Sequence, residues 1–280
     1  MRTHHATGGW RHRLHSALVS KSVKGFYRVM LGIVAPVMRV WTNMHVTGLE
    51  NLPRHGGFLI TPNHISNFDP LCIAYFLVSH GYPVRFMAKS ELFKVPVLGS
   101  VLRGLQMVSV DRKSPHPDGA LAPARMALNN GECVAIYVEG TLTRDPQYWP
   151  MRAKTGAARL ALDTGVPVVP IAQWGAQDVL PRYTKVLSMR PRRDIWISVL
   201  PAVDLADLQG PDGSDDHAAV AEATNRIQRA ITAGVEELRG EPAPEQPWDP
   251  DRMSGPDKKT LGRFSMWRRS LARRGGPSAS

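Results

Sequence analysis

Phe58-Leu59-Ile60-Thr61-Pro62-Asn63-His64-Ile65-Ser66-Asn67-Phe68-Asp69-Pro70 is the stretch on which the fold turns. Its first four residues make a short apolar run of the kind a buried strand uses, and its last two place an N-cap acid before a proline at the first helical position. Leu71 to His80 then reads as a helix closed by Gly81. Strand, polar loop and helix in succession begin a βαβ unit.

The same alternation continues in both directions. Val84 to Ala88 is a second strand candidate, followed by a Pro- and Gly-broken helical stretch from Ser90 to Gly104. Met107 to Val110, Cys133 to Val138, Val168 to Ala172 and Ile195 to Leu200 supply further strands, with helices over Ala120 to Asn130 and Gly156 to Thr164 between them. Val220, Ala223, Ile227, Ile231, Val235 and Leu238 recur every three or four residues, which predicts a late amphipathic helix. The expected fold is α/β, with a mainly parallel central sheet flanked by helices.

Upstream, Val23 to Trp41 mixes Phe26, Tyr27, Val29, Ile33, Val37 and Trp41 with Lys24, Arg28 and Arg39, which suits an interfacial helix kinked at Pro36. A first helix packed on the core has the same pattern. Downstream of Gly240, five prolines (Pro242, Pro244, Pro247, Pro250, Pro256) precede a basic stretch, Lys258 to Arg274, with Phe264, Met266 and Trp267. The chain thus divides into residues 1–45, a basic amphipathic membrane-surface segment; 46–240, the α/β domain; and 241–280, a Pro-rich linker and basic tail expected to lack fixed structure.

In open parallel sheets, ligands bind at the carboxyl ends of the strands. The loops there carry Asn63, His64 and Asp69 after the first strand, Asp111-Arg112 after the third, and Glu139-Gly140-Thr141 after the fourth. A neutral imidazole that takes a proton from a hydroxyl, with a carboxylate on its other nitrogen, is a general-base pair. On one helix a separation of five would turn His64 and Asp69 about 140° apart, so the pair requires His64 in the loop and Asp69 at the helix start. Taken alone, Asp69 reads equally as a plain helix cap and His64 as a loop histidine.

Four blocks in order, Asn63-His64-(four residues)-Asp69, Val110-Asp111-Arg112, Tyr137-Val138-Glu139-Gly140-Thr141 and Val166-Pro167-Val168-Val169-Pro170-Ile171, resemble those of the glycerophospholipid acyltransferase family, and more narrowly its 1-acyl-glycerol-3-phosphate acyltransferases. The resemblance runs from about Thr47 to Leu200. It implies that His64 is the general base, Asp69 its orienting partner, and that an acceptor hydroxyl attacks the thioester of acyl-CoA or an acyl-carrier protein directly. It further implies that Arg112 binds the acceptor's phosphate with Glu139, Gly140 and Thr141. No cofactor beyond these substrates and no metal is expected. The family commonly has arginine after the Glu-Gly-Thr triplet, where this chain has Leu142; Arg144 and Lys154 are candidate replacements, and Asn63 a supporting residue. Trp149 and Trp174 are candidates for the edge of the same pocket.

Charge and cysteine usage narrow the classes. Of 35 Lys and Arg residues, seven lie in residues 1–40 and seven in Lys258 to Arg274, neither segment with an acid; the remaining 21 face 24 acidic residues. The formal net charge of +11 therefore belongs to two arms whose cations are interleaved with apolar and aromatic side chains. That pattern fits an anionic membrane surface better than nucleic acid, which is not expected as a partner. Cys72 and Cys133 form neither a CxxC pair nor a disulfide framework, as suits a reducing compartment. Val29 to Met38 is shorter than the ~20 residues of a spanning helix, and no GxSxG nucleophile elbow occurs. The expectation is an O-acyltransferase, peripheral or monotopic at the cytoplasmic face of the membrane, making phosphatidic acid from lysophosphatidic acid. Another lysophospholipid or a glycolipid acceptor, and a non-catalytic basic lipid- or nucleic-acid-binding protein, are the alternatives.

Overall fold

The computed structural model describes residues 4–5, 21–110, 117–184, 186–188 and 190–250. The chain enters with β1 (His4–His5), α1 (Lys21–Trp41) and β2 (Thr42–Thr47), then β3 (Phe58–Pro62) and α2 (Asp69–Ser79). It continues with β4 (Val84–Lys89), a 3-10 turn over Ser90–Lys94, α3 (Leu98–Gly104), β5 (Val108–Val110), α4 (Pro117–Asn129) and β6 (Cys133–Ala135). After a long irregular segment come α5 (Gly156–Thr164), β7 (Val168–Trp174), α6 (Ala176–Val179), β8 (Arg193–Val199) and α7 (His217–Arg239).

Eight strands form one sheet in the order β1-β2-β8-β7-β3-β6-β4-β5. From β7 to β5 all neighbours are parallel; β7 pairs antiparallel with β8, β8 parallel with β2, and β2 antiparallel with β1. The expected α/β architecture with a mainly parallel sheet is what the chain adopts. Phe58, Leu59 and Ile60 are buried on both sheet faces, which is why that strand is a continuous apolar run and not an alternating one.

One face packs Phe58, Ile60, Phe86, Ala135, Ile171, Ile195 and Ile197 against Cys72, Ile73, Phe76 and Leu77 of α2 and Met38 of α1. The opposite face packs Leu59, Val134 and Val168 against α4, α5 and α7. At α7 the approach is so close that a Cβ on Gly234 would lie 2.7 Å from Leu200 and 2.8 Å from Ala172.

Three features differ from the sequence reading. The strand β2, which straddles the boundary assigned between the N-terminal arm and the α/β domain, joins the sheet over its whole length from Thr42 to Thr47, because Val46 and Met44 continue the apolar face of β8. Helix α1 runs through Pro36 and packs on the core through Tyr27, Ala35 and Met38, which are buried, while Val29 (61% exposed), Ile33 (62%) and Val40 (63%) face outward. Finally, residues 241–250 lie against the body. The Arg152 N–H donates to the Trp248 carbonyl at 2.9 Å, Arg152 pairs with Asp249 at 2.9 Å, and Ala243 packs beside Val235 and Trp149. The basic tail from residue 251 onward and most of residues 1–20 lie outside the described residues.

Candidate active site

Every parallel strand of the central block ends on the same rim, and β3 delivers its loop there first. Asp69 is the first residue of α2 and not its N-cap as the sequence predicts; Phe68 takes that place without a side-chain cap hydrogen bond, and the Asp69 carboxylate turns back into the loop. A single oxygen, Oδ2, accepts from the N–H of Ile65 (2.6 Å) and of Ser66 (2.8 Å), and lies 3.0 Å from His64 Nδ1. Because that oxygen is already an acceptor twice over, Nδ1 is the donor, and the neutral ring keeps its lone pair on Nε2. The imidazole is 15% exposed and the carboxylate fully buried. Burial pushes the Asp69 carboxyl above its ordinary range, opposed by His64 and the two backbone N–H groups. Tyr137 lies over the imidazole, with ring centroids 4.0 Å apart and planes within 23°, so one face of the base is covered by an aromatic ring.

The backbone of His64 is held from both sides. Its N–H donates to Glu139 Oε1 at 2.8 Å, and its carbonyl accepts from the Thr143 N–H at 2.8 Å. Glu139 Oε2 in turn accepts from the Met151 N–H at 3.0 Å. Glu139 is 2% exposed, so the expectation that it helps bind the acceptor's phosphate is corrected: both of its oxygens are engaged by main chain inside the protein. Asn63 is buried as well. Its side chain donates to the Gln173 carbonyl and accepts from the Gln173 N–H, while the Gln173 amide donates to the Asn63 carbonyl at 2.8 Å, a reciprocal pairing that ties the loop to the end of β7. Ser66 adds a third tether, Oγ to the Leu180 carbonyl at 2.6 Å.

Glu139 also reports on pH. Burial raises its carboxyl to about 8, against the pull of the Met151 and His64 N–H groups, from an ordinary value of 4.5. Between those two values the folded chain holds a proton that the unfolded chain has released. The stability this group contributes is therefore fully present below about pH 4.5 and lost as pH rises through about 8. Asp69, also raised, acts with the same sign. Thermal unfolding midpoints should fall from about pH 5 to about pH 8, and Glu139→Gln should flatten the slope by up to about 1.4 kcal/mol per pH unit. Equal slopes in the two proteins would remove Glu139 from this account.

The strap from Glu139 to Met151 is shaped by Gly140, whose φ of 70° suits glycine. Lys154 folds over that glycine, its Cδ 3.2 Å from where a Cβ would sit, so Gly140 and Lys154 meet at the rim as the sequence suggests, with Thr141 partly exposed beside them. Leu142 is buried, so a charged side chain there would face a desolvation cost that leucine does not. Arg144 lies against Tyr183, whose hydroxyl donates to the Leu142 carbonyl at 2.9 Å. Arg112 lies outside the described residues. Trp149 and Trp174 do not frame an open pocket; the Arg239 guanidinium sits over both rings, at 3.9 Å and 4.5 Å from their centroids.

Sequence reasoning missed Gln173, Thr143 and Arg182. Arg182 is 1% exposed, stacks 4.0 Å over Tyr148 and donates to the carbonyls of Thr143 (2.9 Å), Asp145 (2.5 Å) and Pro146 (3.3 Å). It fixes the turn that presents Thr143 to His64. Both cysteines are buried, and burial raises their thiols above the usual range, which leaves them unreactive packing residues. Among the described residues no His, Cys, Asp and Glu cluster could hold a metal ion.

A family model described as "Acyltransferase" matches residues 43–174, the segment that contains β3, the His64 loop, the strap and β7. The 1-acyl-sn-glycerol-3-phosphate acyltransferase of Bacillus subtilis is 26% identical over 212 residues, 76% of this chain and all of that protein. The protein of the same name from Borreliella burgdorferi is 28% identical over 166 residues, 58% of this chain; the chain spans 62% of its length. In fold, the chain is similar to the crystal structure of the 1-acyl-sn-glycerophosphate acyltransferase PlsC from Thermotoga maritima, with a TM-score of 0.55, 23% identity and coverage of 80% and 81% of the two chains. The segment that matches the acyltransferase family model, residues 43–174, is the one that holds the bonded histidine and aspartate at the sheet rim.

Proposed function

We propose that this chain transfers a fatty acyl group from acyl-CoA or acyl-carrier protein to the free hydroxyl of 1-acyl-glycerol-3-phosphate, giving phosphatidic acid. The observation that carries the reading is the His64 Nδ1 to Asp69 Oδ2 contact of 3.0 Å, which leaves Nε2 unprotonated on the one partly exposed side chain of the pair. Nε2 removes the hydroxyl proton as the oxygen attacks the thioester carbonyl, and the buried Asp69 carboxylate stabilises the imidazolium that results. The tetrahedral centre then breaks its C–S bond, and His64 returns the proton to the departing thiolate. No acyl-enzyme forms on this route, consistent with the two buried, unreactive cysteines.

Arg112, Lys154 and the Gly140–Thr141 backbone are the proposed phosphate-binding groups; β5, which ends on the same rim as β3, is the strand that precedes Asp111-Arg112 in the sequence. Arg112→Ala should raise the KM for lysophosphatidic acid at least tenfold while that for acyl-CoA stays within about twofold. Equal effects on both substrates would show that Arg112 does not read the phosphate. The buried Leu142 favours a second reading, in which the acceptor carries a less demanding headgroup. A panel of lysophospholipids and glycolipids assayed with one labelled acyl-CoA separates the two readings, as the preferred acceptor names itself.

The proposed acceptor resides in a bilayer, and we place the protein at its cytoplasmic surface. Among the described residues no helix is long and apolar enough to cross a membrane. The outward stripe of α1, Val29, Ile33, Val37 and Val40, supports peripheral attachment through one monolayer, with Arg28 and Arg39 at headgroup depth.

A further inference from the structure

We propose that the crossover from β4 to α3, residues 90–98, is a second lipid-contacting surface, pressed into the same anionic monolayer as the stripe on α1. The inference rests on the membrane reading given above and names a contact that reading does not contain. Four apolar side chains stand out from this short segment: Leu92 (40% exposed), Val95 (45%), Val97 (77%) and Leu98 (41%). Val97 has φ 66° and ψ −60°, with the Leu98 N–H donating to the Pro96 carbonyl at 2.7 Å. That is a γ-turn of the strained hand, rare for any residue and costlier for a β-branched one. The turn holds out the most exposed of the large apolar side chains in the described structure.

Topology puts this segment on the rim of the sheet that also carries the His64 loop and one end of α1, with β6 between β4 and β3. It follows the carboxyl end of β4, on the rim where His64 follows β3. Helix α1 reaches that rim too, because it feeds β2, which runs opposite to β3 through its parallel pairing with β8 and the antiparallel pairing of β8 with β7. The other end of α1 is pinned to the far end of α3: the Tyr27 hydroxyl donates to the Leu105 carbonyl at 3.0 Å, and Phe26 packs on Gly104 so closely that a Cβ there would lie 2.6 Å from the ring. At about 100° per residue, Phe26 falls on the edge of the stripe formed by Val29, Ile33 and Val40. The stripe therefore opens toward α3.

Charge selects the occupant. Residues 21–41 and 89–105 together carry seven cations (Lys21, Lys24, Arg28, Arg39, Lys89, Lys94, Arg103) and one acid, Glu91. Apolar side chains among cations, next to a site that would act on lipid, fit an anionic bilayer better than the mixed-charge surface of a second protein.

Both native cysteines are buried, so Val97→Cys can be labelled selectively with an environment-sensitive fluorophore in the full-length chain. Mixed phosphatidylcholine and phosphatidylglycerol vesicles should shift its emission to the blue, and spin-labelled lipid should quench it. In co-sedimentation with the same vesicles, Val97→Glu, Leu98→Glu and Ile33→Glu should each weaken binding about tenfold or more. Met126→Glu, which changes an equally exposed apolar residue on α4 at the opposite sheet face, should bind as wild type. Thermal melts of the four variants identify any that fail to fold, and the strain-free Leu98 position carries the test if Val97 is one of them. Unchanged emission together with normal binding by both loop variants, while Ile33→Glu fails to bind, overturns the proposal and leaves the α1 reading intact. Wild-type protein that ignores the vesicles overturns both. Lipid-free dimers that Val97→Glu dissociates would assign the surface to a second copy of the chain and likewise overturn it.

Discussion

His64→Ala should lower kcat for acyl transfer by about 10²- to 10⁴-fold, the range a positioned general base supplies, with little change in the KM for either substrate. The fold should survive. The imidazole is partly exposed and touches Tyr137 and Asp69, whereas the two backbone N–H groups on Asp69 and the tethers of Asn63 and Ser66 do not depend on it. Thiol release from acyl-CoA, followed alongside a circular-dichroism melt, separates chemistry from folding. Wild-type turnover in a folded His64→Ala protein would eliminate the proposed mechanism.

Asp69→Asn should cost nearly as much, by a different route. Asparagine has almost the same shape and can still accept from the Ile65 and Ser66 N–H groups, so the loop should keep its path. What disappears is the negative charge 3.0 Å from His64 Nδ1, and with it the stabilisation of the imidazolium. In a comparable histidine–carboxylate arrangement the same exchange lowers kcat about 10⁴-fold. The expected result is a loss of about 10³-fold or more, with a melting temperature within a few degrees of wild type. A loss below tenfold would mean that Asp69 serves only as the anchor of the loop, through the Ile65 and Ser66 N–H groups.

The parallel block of the sheet was legible because β3, β6 and β7 are short, mainly apolar runs preceded within two residues by glycine or proline. β2 was not: Thr42–Thr47 alternates polar and apolar residues, and its Asn43 and His45 point outward beside Asp194 and Trp196. Six residues of that pattern directly after an apolar helix do not announce a strand. Within the site, the sequence located the pair but not its supports. A loop side chain's direction depends on backbone turns such as the one at Gly140, so nothing in the letters Glu-Gly-Thr says that the glutamate faces inward. Gln173 did leave a signal, as an amide in an otherwise apolar strand, which must find partners if buried. Arg182, far from any motif, left none.

The strap beside His64 draws its support from late in the chain. Gln173 and Leu180 hold the loop itself, Arg182 shapes the turn, Gln228 accepts from Ala153 and donates to the Met151 carbonyl at 2.9 Å, Arg239 covers Trp149, and Trp248 receives Arg152. During synthesis, then, the histidine and aspartate leave the ribosome long before the parts that align them. On the proposed membrane reading, a nascent chain whose α1 has emerged settles on a bilayer while the loop around His64 is still unassembled, and the strap is complete only once Trp248 has been added.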